Sequence, residues 1–218
     1  MSYILHLESA TKACSVALSF EGKLKQVKEI TEDNFSHGEN LTLFIEDVLK
    51  QEIISAKELA AISISSGPGS YTGLRIGVSV AKGLCYALKI PLIAIDSLQC
   101  IYEIAREKHS EKTISPMIDA RRMEVFSSIY SSEGTLLKEI SADIIEEESY
   151  SQFVPFIACG DGAEKLREIW SSREITIDST ILSSAIGQVK IAFEKFQKNE
   201  YVDLAYFEPF YLKDFVAK

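Results

Sequence analysis

Ser66-Gly67-Pro68-Gly69-Ser70-Tyr71-Thr72-Gly73-Leu74-Arg75-Ile76-Gly77 is the stretch on which the fold turns. An apolar run, Leu59 to Ile64, precedes it and reads as a buried strand; a small, apolar segment, Val78 to Leu88, follows and reads as a helix. Strand, glycine-rich turn and helix form the α/β frame that presents backbone N–H groups to an anion, because a helix N-terminus carries unpaired donors and partial positive charge. Gly67, Pro68, Gly69, Ser70, Thr72 and Arg75 are therefore candidate anion contacts. No Gly-Lys-Ser/Thr follows the glycines, so no lysine is placed to reach a β- or γ-phosphate. The alternative is a tight turn in which Gly67 and Gly69 supply only conformational freedom and Pro68 fixes its neighbour.

Outward from that turn the elements alternate. Ser2 to Leu7, Ala13 to Phe20 and Leu24 to Ile30 read as strands, with a hairpin turn at Glu21-Gly22-Lys23. A helix is expected from Ser36, where Ser36 and Glu39 form a capping box and Leu41, Phe44/Ile45 and Val48/Leu49 recur on one face. Leu59–Ser65 is the next strand, Thr72–Lys89 a helix, Pro91–Ile95 a short strand and Ser97–Lys108 a connecting helix. The second half repeats the logic. Strands are expected at Thr113–Ile118, Glu124–Tyr130, Leu136–Ile145 and Phe156–Cys159, and helices over Gly162–Trp170 and Ile181–Phe196. The duplication divides the chain into units 1–100 and 101–200.

At 218 residues and 46% hydrophobic, the chain can bury one large core or two small ones. No stretch reads as a bilayer span, and no basic flank with a signal-like apolar core opens the sequence, so a cytoplasmic location is expected. Cys14, Cys85, Cys100 and Cys159 lie in apolar segments without CxxC spacing and read as buried, reduced thiols. The formal net charge is −9, with 23 basic against 32 acidic residues. A protein that holds nucleic acid unaided shows a basic stripe; here no such run occurs, and Glu146-Glu147-Glu148 would repel phosphate.

The wording of several segments is more specific than their physics. The glycine stretch, Leu7-Glu8-Ser9-Ala10-Thr11 with Cys14 to Leu18, Ile118-Asp119-Ala120-Arg121-Arg122-Met123-Glu124-Val125-Phe126, Gly160-Asp161-Gly162-Ala163 and Pro209-Phe210-Tyr211-Leu212 follow one another as in the TsaB (YeaZ) family, which the chain resembles along nearly its whole length. The resemblance implies an α/β, duplicated two-domain fold of the actin-like ATPase (ASKHA, ribonuclease H-like) class, with a tail near 200–218 returning to the first domain. It implies an accessory protein of tRNA threonylcarbamoyl modification: a homodimer when alone, a partner of the catalytic paralogue TsaD and the ATPase TsaE, meeting tRNA only indirectly through that complex. No cofactor is implied.

The residues bear on catalysis as follows. TsaD is expected to carry a metal-binding His-x-x-x-His on the helix corresponding to the one after Ser36; here the pair would be His37 and Leu41, and Leu41 cannot ligate a metal. His6 and His109 have no partner in sequence, so no metal site is expected. Actin-like kinases use Asp-x-Gly in the first hairpin, where this chain has Glu8-Ser9-Ala10. Glu8, Ser9, Asp119, Arg121, Gly160 and Gly162 are candidate remnants of a nucleotide site; packing, capping and solvated ion pairs are their structural alternatives. An ATPase with Glu8 on Mg²⁺ is the competing enzymatic reading, and a metal-dependent peptidase lacks its ligands. On the helix after the turn, Gly73, Gly77 and Ala81 recur every fourth residue and let another backbone approach. With Val80, and with Leu43 and Val48 of the preceding helix, they are the expected docking surface, close packing on the chain's own sheet being the alternative.

Overall fold

A computed structural model describes residues 2–31 and 37–213. Five strands form the first sheet: β1 (Tyr3–Glu8), β2 (Ala13–Phe20), β3 (Lys23–Thr31), β4 (Leu59–Ser65) and β5 (Leu92–Ile95). Their order is β3-β2-β1-β4-β5, an antiparallel meander with two parallel strands added beside β1. The second sheet contains β6 (Ile114–Asp119), β7 (Glu124–Tyr130), β8 (Leu136–Ile144), β9 (Phe156–Cys159) and β10 (Ile175–Asp178). Its order, β10-β9-β6-β7-β8, is the same arrangement read from the other edge. The duplicated actin-like architecture is thus explicit in the strand order.

Helices α1 (His37–Gln51) and α2 (Tyr71–Leu88) cover one face of the first sheet, where Leu5, Leu7, Val16, Leu18, Ile62 and Ile64 are buried. The Ser36/Glu39 capping box lies outside the described residues. On α2 the N-cap is Ser70, whose hydroxyl accepts from Gly73 N–H, and Lys89 closes the helix in the left-handed conformation. The opposite face of this sheet is different in character. Alternation along each strand directs Ile4, His6 and Glu8, Ser15, Ala17 and Ser19, and Ala61, Ser63 and Ser65 to that side, and all nine are buried. Small and polar side chains there let the 3-10 turn Ala185–Gln188 and α4 (Val189–Gln197) approach closely, with α3 (Ser97–Lys108) packed on that turn. Helix α3 serves both halves: Cys100 packs toward the first sheet, whereas Leu98, Ile101, Tyr102 and Ala105 join Ile114, Ile118 and Phe126 of the second.

Two helices expected in the second half are shorter than the sequence reading. Gly162–Trp170 contains one 3-10 turn at Glu164–Leu166, and Trp170 is buried against Phe156 with ring centroids 5.8 Å apart. Ile181–Phe196 begins as extended chain, passes a 3-10 turn at Ala185–Gln188 capped by Ser184, and becomes helical only at α4. Strand β10 is short and was not anticipated. Helix α4, placed with residues 101–200 by sequence, packs instead on the first sheet: Ile191 and Ala192 join Ile4, Ala61, Ile93 and Ile95. The tail continues there, bridging Leu92 through Val202 and Ser66 through a 2.7 Å bond from Phe210 N–H. No helix among the described residues is long and apolar enough to cross a membrane.

Candidate functional site

The glycine turn is a junction where three segments meet. Gly67 has φ +111°, and a Cβ there would lie 2.3 Å from the carbonyl oxygen of Phe210 in the tail. A Cβ on Gly69 would lie 2.3 Å from Ala10 O in the β1–β2 turn. The amides expected to face an anion are engaged internally: Gly67 N–H donates to Ser97 Oγ (3.1 Å), Ser70 N–H to Ala10 O (2.6 Å) and Gly73 N–H to Ser70 Oγ (3.3 Å). Pro68 is part of the same packed turn, and Thr72 is exposed. Arg75 is exposed too, but its guanidinium stacks over Tyr71 at 3.9 Å and reaches Tyr211 Oη at 3.4 Å. The expectation of an anion cradle gives way to a packing role, because the β1–β2 turn, α3 and the Ser70 cap occupy these donors and the tail covers Gly67.

The small-residue row also faces inward. A Cβ on Gly77 would lie 2.2 Å from Ser9 Oγ and 2.9 Å from Ile64 Cδ1, while Ser9 donates to Gly73 O at 2.9 Å. Ala81 and Val48 are fully buried in the core of the first sheet. Gly73, Gly77, Ala81 and Val48 are therefore not on a docking surface; they let α1 and α2 settle onto their own sheet. The outward stripe of these helices is another set. Leu43 is 56% exposed and Tyr86 81% exposed, Val80 and Ile76 are half-buried, and a Cβ on Gly83 would meet nothing within 4 Å. Beside Tyr86 lies a hollow of about 550 Å³, lined by Cys85, Lys89, Ile90 and Leu204.

The remnants expected of a nucleotide site separate into buried and exposed groups. Glu8 is fully buried; one carboxyl oxygen accepts from Ala10 N–H (2.7 Å), the other from the Ser65 hydroxyl, and burial raises its pKa. Ser9 is buried under α2. On the exposed side, Asp119 pairs with Lys165 and accepts Arg121 N–H at 3.0 Å, so its partner is the lysine and not an arginine side chain. Asp161 accepts Asp119 N–H at 3.1 Å rather than capping a helix, and burial raises its pKa. Gly160 and Gly162 are required by space, since added Cβ atoms would lie 2.1 Å from Met117 O and 2.8 Å from Ile118 C.

Above Glu8 runs a polar chain that sequence reading missed. Gln188, from the 3-10 turn before α4, places one terminal atom 2.6 Å from Leu7 O; only the amide nitrogen can donate there. Its Oε1 therefore accepts from Ser63 Oγ at 2.6 Å. With its proton so used, Ser63 accepts from His6 Nδ1–H at 2.7 Å, and His6 Nε2 accepts from Ser19 at 2.8 Å. Gln188 also donates to Ser65 Oγ at 3.0 Å, and Ser65 donates to Glu8. The imidazole is neutral, and burial lowers its pKa to about 3. This chain ties the segment after β10 to the centre of the first sheet. A cleft of about 650 Å³ between the halves lies nearby, with Glu29, Glu107 and Lys108 at its polar edge and Ile30, Ile104 and Ile181 in its walls.

No group of three or more His, Cys, Asp or Glu able to hold a metal occurs among the described residues. All four cysteines are buried and unpaired. His109 binds Asp178 at 2.8 Å, and Lys108 binds the same carboxylate at 2.7 Å, fastening the end of α3 to β10.

A family model described as TsaD, tRNA N6-adenosine threonylcarbamoyltransferase, matches residues 29–218. The chain is 26% identical to the Escherichia coli tRNA threonylcarbamoyladenosine biosynthesis protein TsaB, over 98% of this chain and 96% of that one. The Haemophilus influenzae protein of the same name is 24% identical, over 98% of this chain and 94% of its own length. The solved structure of YeaZ from Pseudomonas aeruginosa matches with a TM-score of 0.83 at 27% identity, covering 97% of this chain and all of that one.

Proposed function

Because the chain belongs to the TsaB (YeaZ) family, we propose that it works in tRNA N6-threonylcarbamoyladenosine formation as a non-catalytic accessory subunit. It binds and activates the catalytic paralogue TsaD in the cytoplasm, and the ATPase TsaE engages the assembled pair. The observation that carries this reading is the internal use of Glu8, the acid that a phosphoryl-transfer enzyme would turn toward Mg²⁺: both its oxygens accept bonds from the protein, and the side chain is fully buried.

In this reading the contact with TsaD runs along the outward stripe of α1 and α2, with Leu43, Val80 and Tyr86 as apolar anchors and Gly83 as the point of closest backbone approach; the exposure of Leu43 and Tyr86 supports it. Alone, two copies pair through the same stripe about a twofold axis. A formal charge of −9 leaves most of the tRNA-binding surface to TsaD.

The decisive experiment is reconstitution of TsaD, TsaE, ATP, the threonylcarbamoyl-adenylate source and tRNA, with and without this chain. Modified adenosine should form only when the chain is added, and never when it replaces TsaD. Product that is indifferent to its omission removes the reading. For the contact surface, Tyr86→Arg should weaken association with TsaD at least about tenfold while the isolated chain melts as before, since Tyr86 is 81% exposed. Unchanged association by analytical ultracentrifugation would move the interface off α2.

A further inference from the structure

The turn between β6 and β7 carries Arg121 and Arg122, both exposed and both at positive φ, 71° and 51°. Glycine and asparagine occupy that region at least cost; long side chains have no conformational reason to be there. Nor does the fold use their charges. Among the described residues neither guanidinium has a hydrogen-bond or ion-pair partner, because the neighbouring carboxylates are already taken. Asp119 pairs with Lys165, and Glu124 pairs with Lys213. The tip is also held in place: Asp119 accepts Arg121 N–H, Ala120 N–H donates to Glu124 O, and Lys165 reaches Glu124 O at 2.7 Å. Lys12, from the β1–β2 turn, acts with Lys165 on Asp161 beside it. A rigid cationic point thus projects from a chain whose formal net charge is −9.

We propose that this tip is a phosphate-contacting arm that touches the tRNA backbone when the chain sits in its modification complex. The inference rests on the functional reading above. A guanidinium pairs with a phosphate through two parallel N–H bonds, and two adjacent ones span successive phosphates without reading sequence. The tip belongs to the second sheet, whereas the docking stripe covers the first, so occupation of one leaves the other open. An acidic protein surface is the competing occupant.

The test is a titration of the chain–TsaD complex with an unmodified tRNA transcript at several salt concentrations, comparing wild type with Arg121→Asn/Arg122→Gly. This pair of substitutions relaxes the backbone while removing both charges. The salt dependence (log K against log salt) should become shallower by about 1.5, and low-salt affinity should fall roughly tenfold. Pairing with TsaD should be unchanged, and the variant should melt no lower than wild type. Unchanged slope and affinity overturn the proposal. So does weaker pairing with TsaD at an unchanged slope, which would assign the arginines to an acidic protein. If the wild-type chain fails to pair with TsaD, the functional reading falls and the arm falls with it; failure of the arm alone leaves pairing intact.

Discussion

Gly67→Ala should destabilise the protein by about 3–5 kcal/mol, as read by urea unfolding. The new methyl would point at the Phe210 carbonyl oxygen, 2.3 Å from the ideal Cβ position, in a backbone conformation that L-residues rarely adopt. Neither side yields cheaply. Moving the turn breaks the Gly67–Ser97 bonds that anchor α3, and moving the tail breaks the bond from Phe210 N–H to Ser66 O. The same variant should become sensitive to limited proteolysis within residues 201–213, since release of the tail is the nearest relief of the clash. Gly83→Ala is the matched control. It adds a methyl to the same helix system in open space, and removal of a helical glycine should stabilise by up to about 1 kcal/mol. Equal stability of Gly67→Ala and wild type would mean that the tail does not pack against the turn.

Acidification should weaken the fold through His6. Its native pKa is lowered to about 3 by burial, against about 6.5 in an unfolded chain. Below pH 6.5 the unfolded state takes up a proton that the native state refuses, so stability falls as pH drops from 6.5 toward 3. The slope is about 1.4 kcal/mol per pH unit once the unfolded imidazole is charged, and roughly 4–5 kcal/mol across the window. Geometry gives the reason for the refusal: Ser19 must donate to Nε2, because Nδ1–H already donates to Ser63. Asp96, Glu8 and Asp161 act with the opposite sign, because burial raises each carboxyl. Asp96 is pushed up to about 6, so its contribution grows as pH falls through that value. Comparison with His6→Asn isolates the histidine. That variant should be less stable at pH 7 by about 2 kcal/mol, yet lose most of the pH slope between 4.5 and 6.5. Parallel slopes for the two proteins would show that the folded imidazole titrates normally.

The fold could be read from the chain where periodicity was strong and neighbours were close in sequence. Strands β7 and β9 fall at the expected residues, and α2 shifts by a single residue at each end. The face to which the small-residue row turns could not be read in the same way. Gly73, Gly77 and Ala81 look alike whether they face a partner or their own sheet, and the deciding neighbour, Ser9, lies 64 residues from Gly73. Gln188 gave no signal at all, since its role depends on where the end of a long connection lands. The sequence does carry a different clue. Ile4-His6-Glu8, Ser15-Ala17-Ser19 and Ala61-Ser63-Ser65 alternate with large apolar residues, which marks a sheet with one greasy face and one small, polar face. The shortened helices of the second half were legible only at Ser183-Ser184, whose hydroxyls favour a cap over a continuing helix.

The return of the tail has a consequence for biosynthesis. The glycine turn at 67 is synthesised early, but its wall is Phe210, and β5 completes its bridge only with Val202. The core of the same sheet also needs Ile191 and Ala192. The first sheet must therefore wait, with an unfinished edge and an open core, until residues 191–210 are translated. Chaperone occupancy on the nascent chain should concentrate on the first sheet, and C-terminal truncations should injure the N-terminal half before they touch the second.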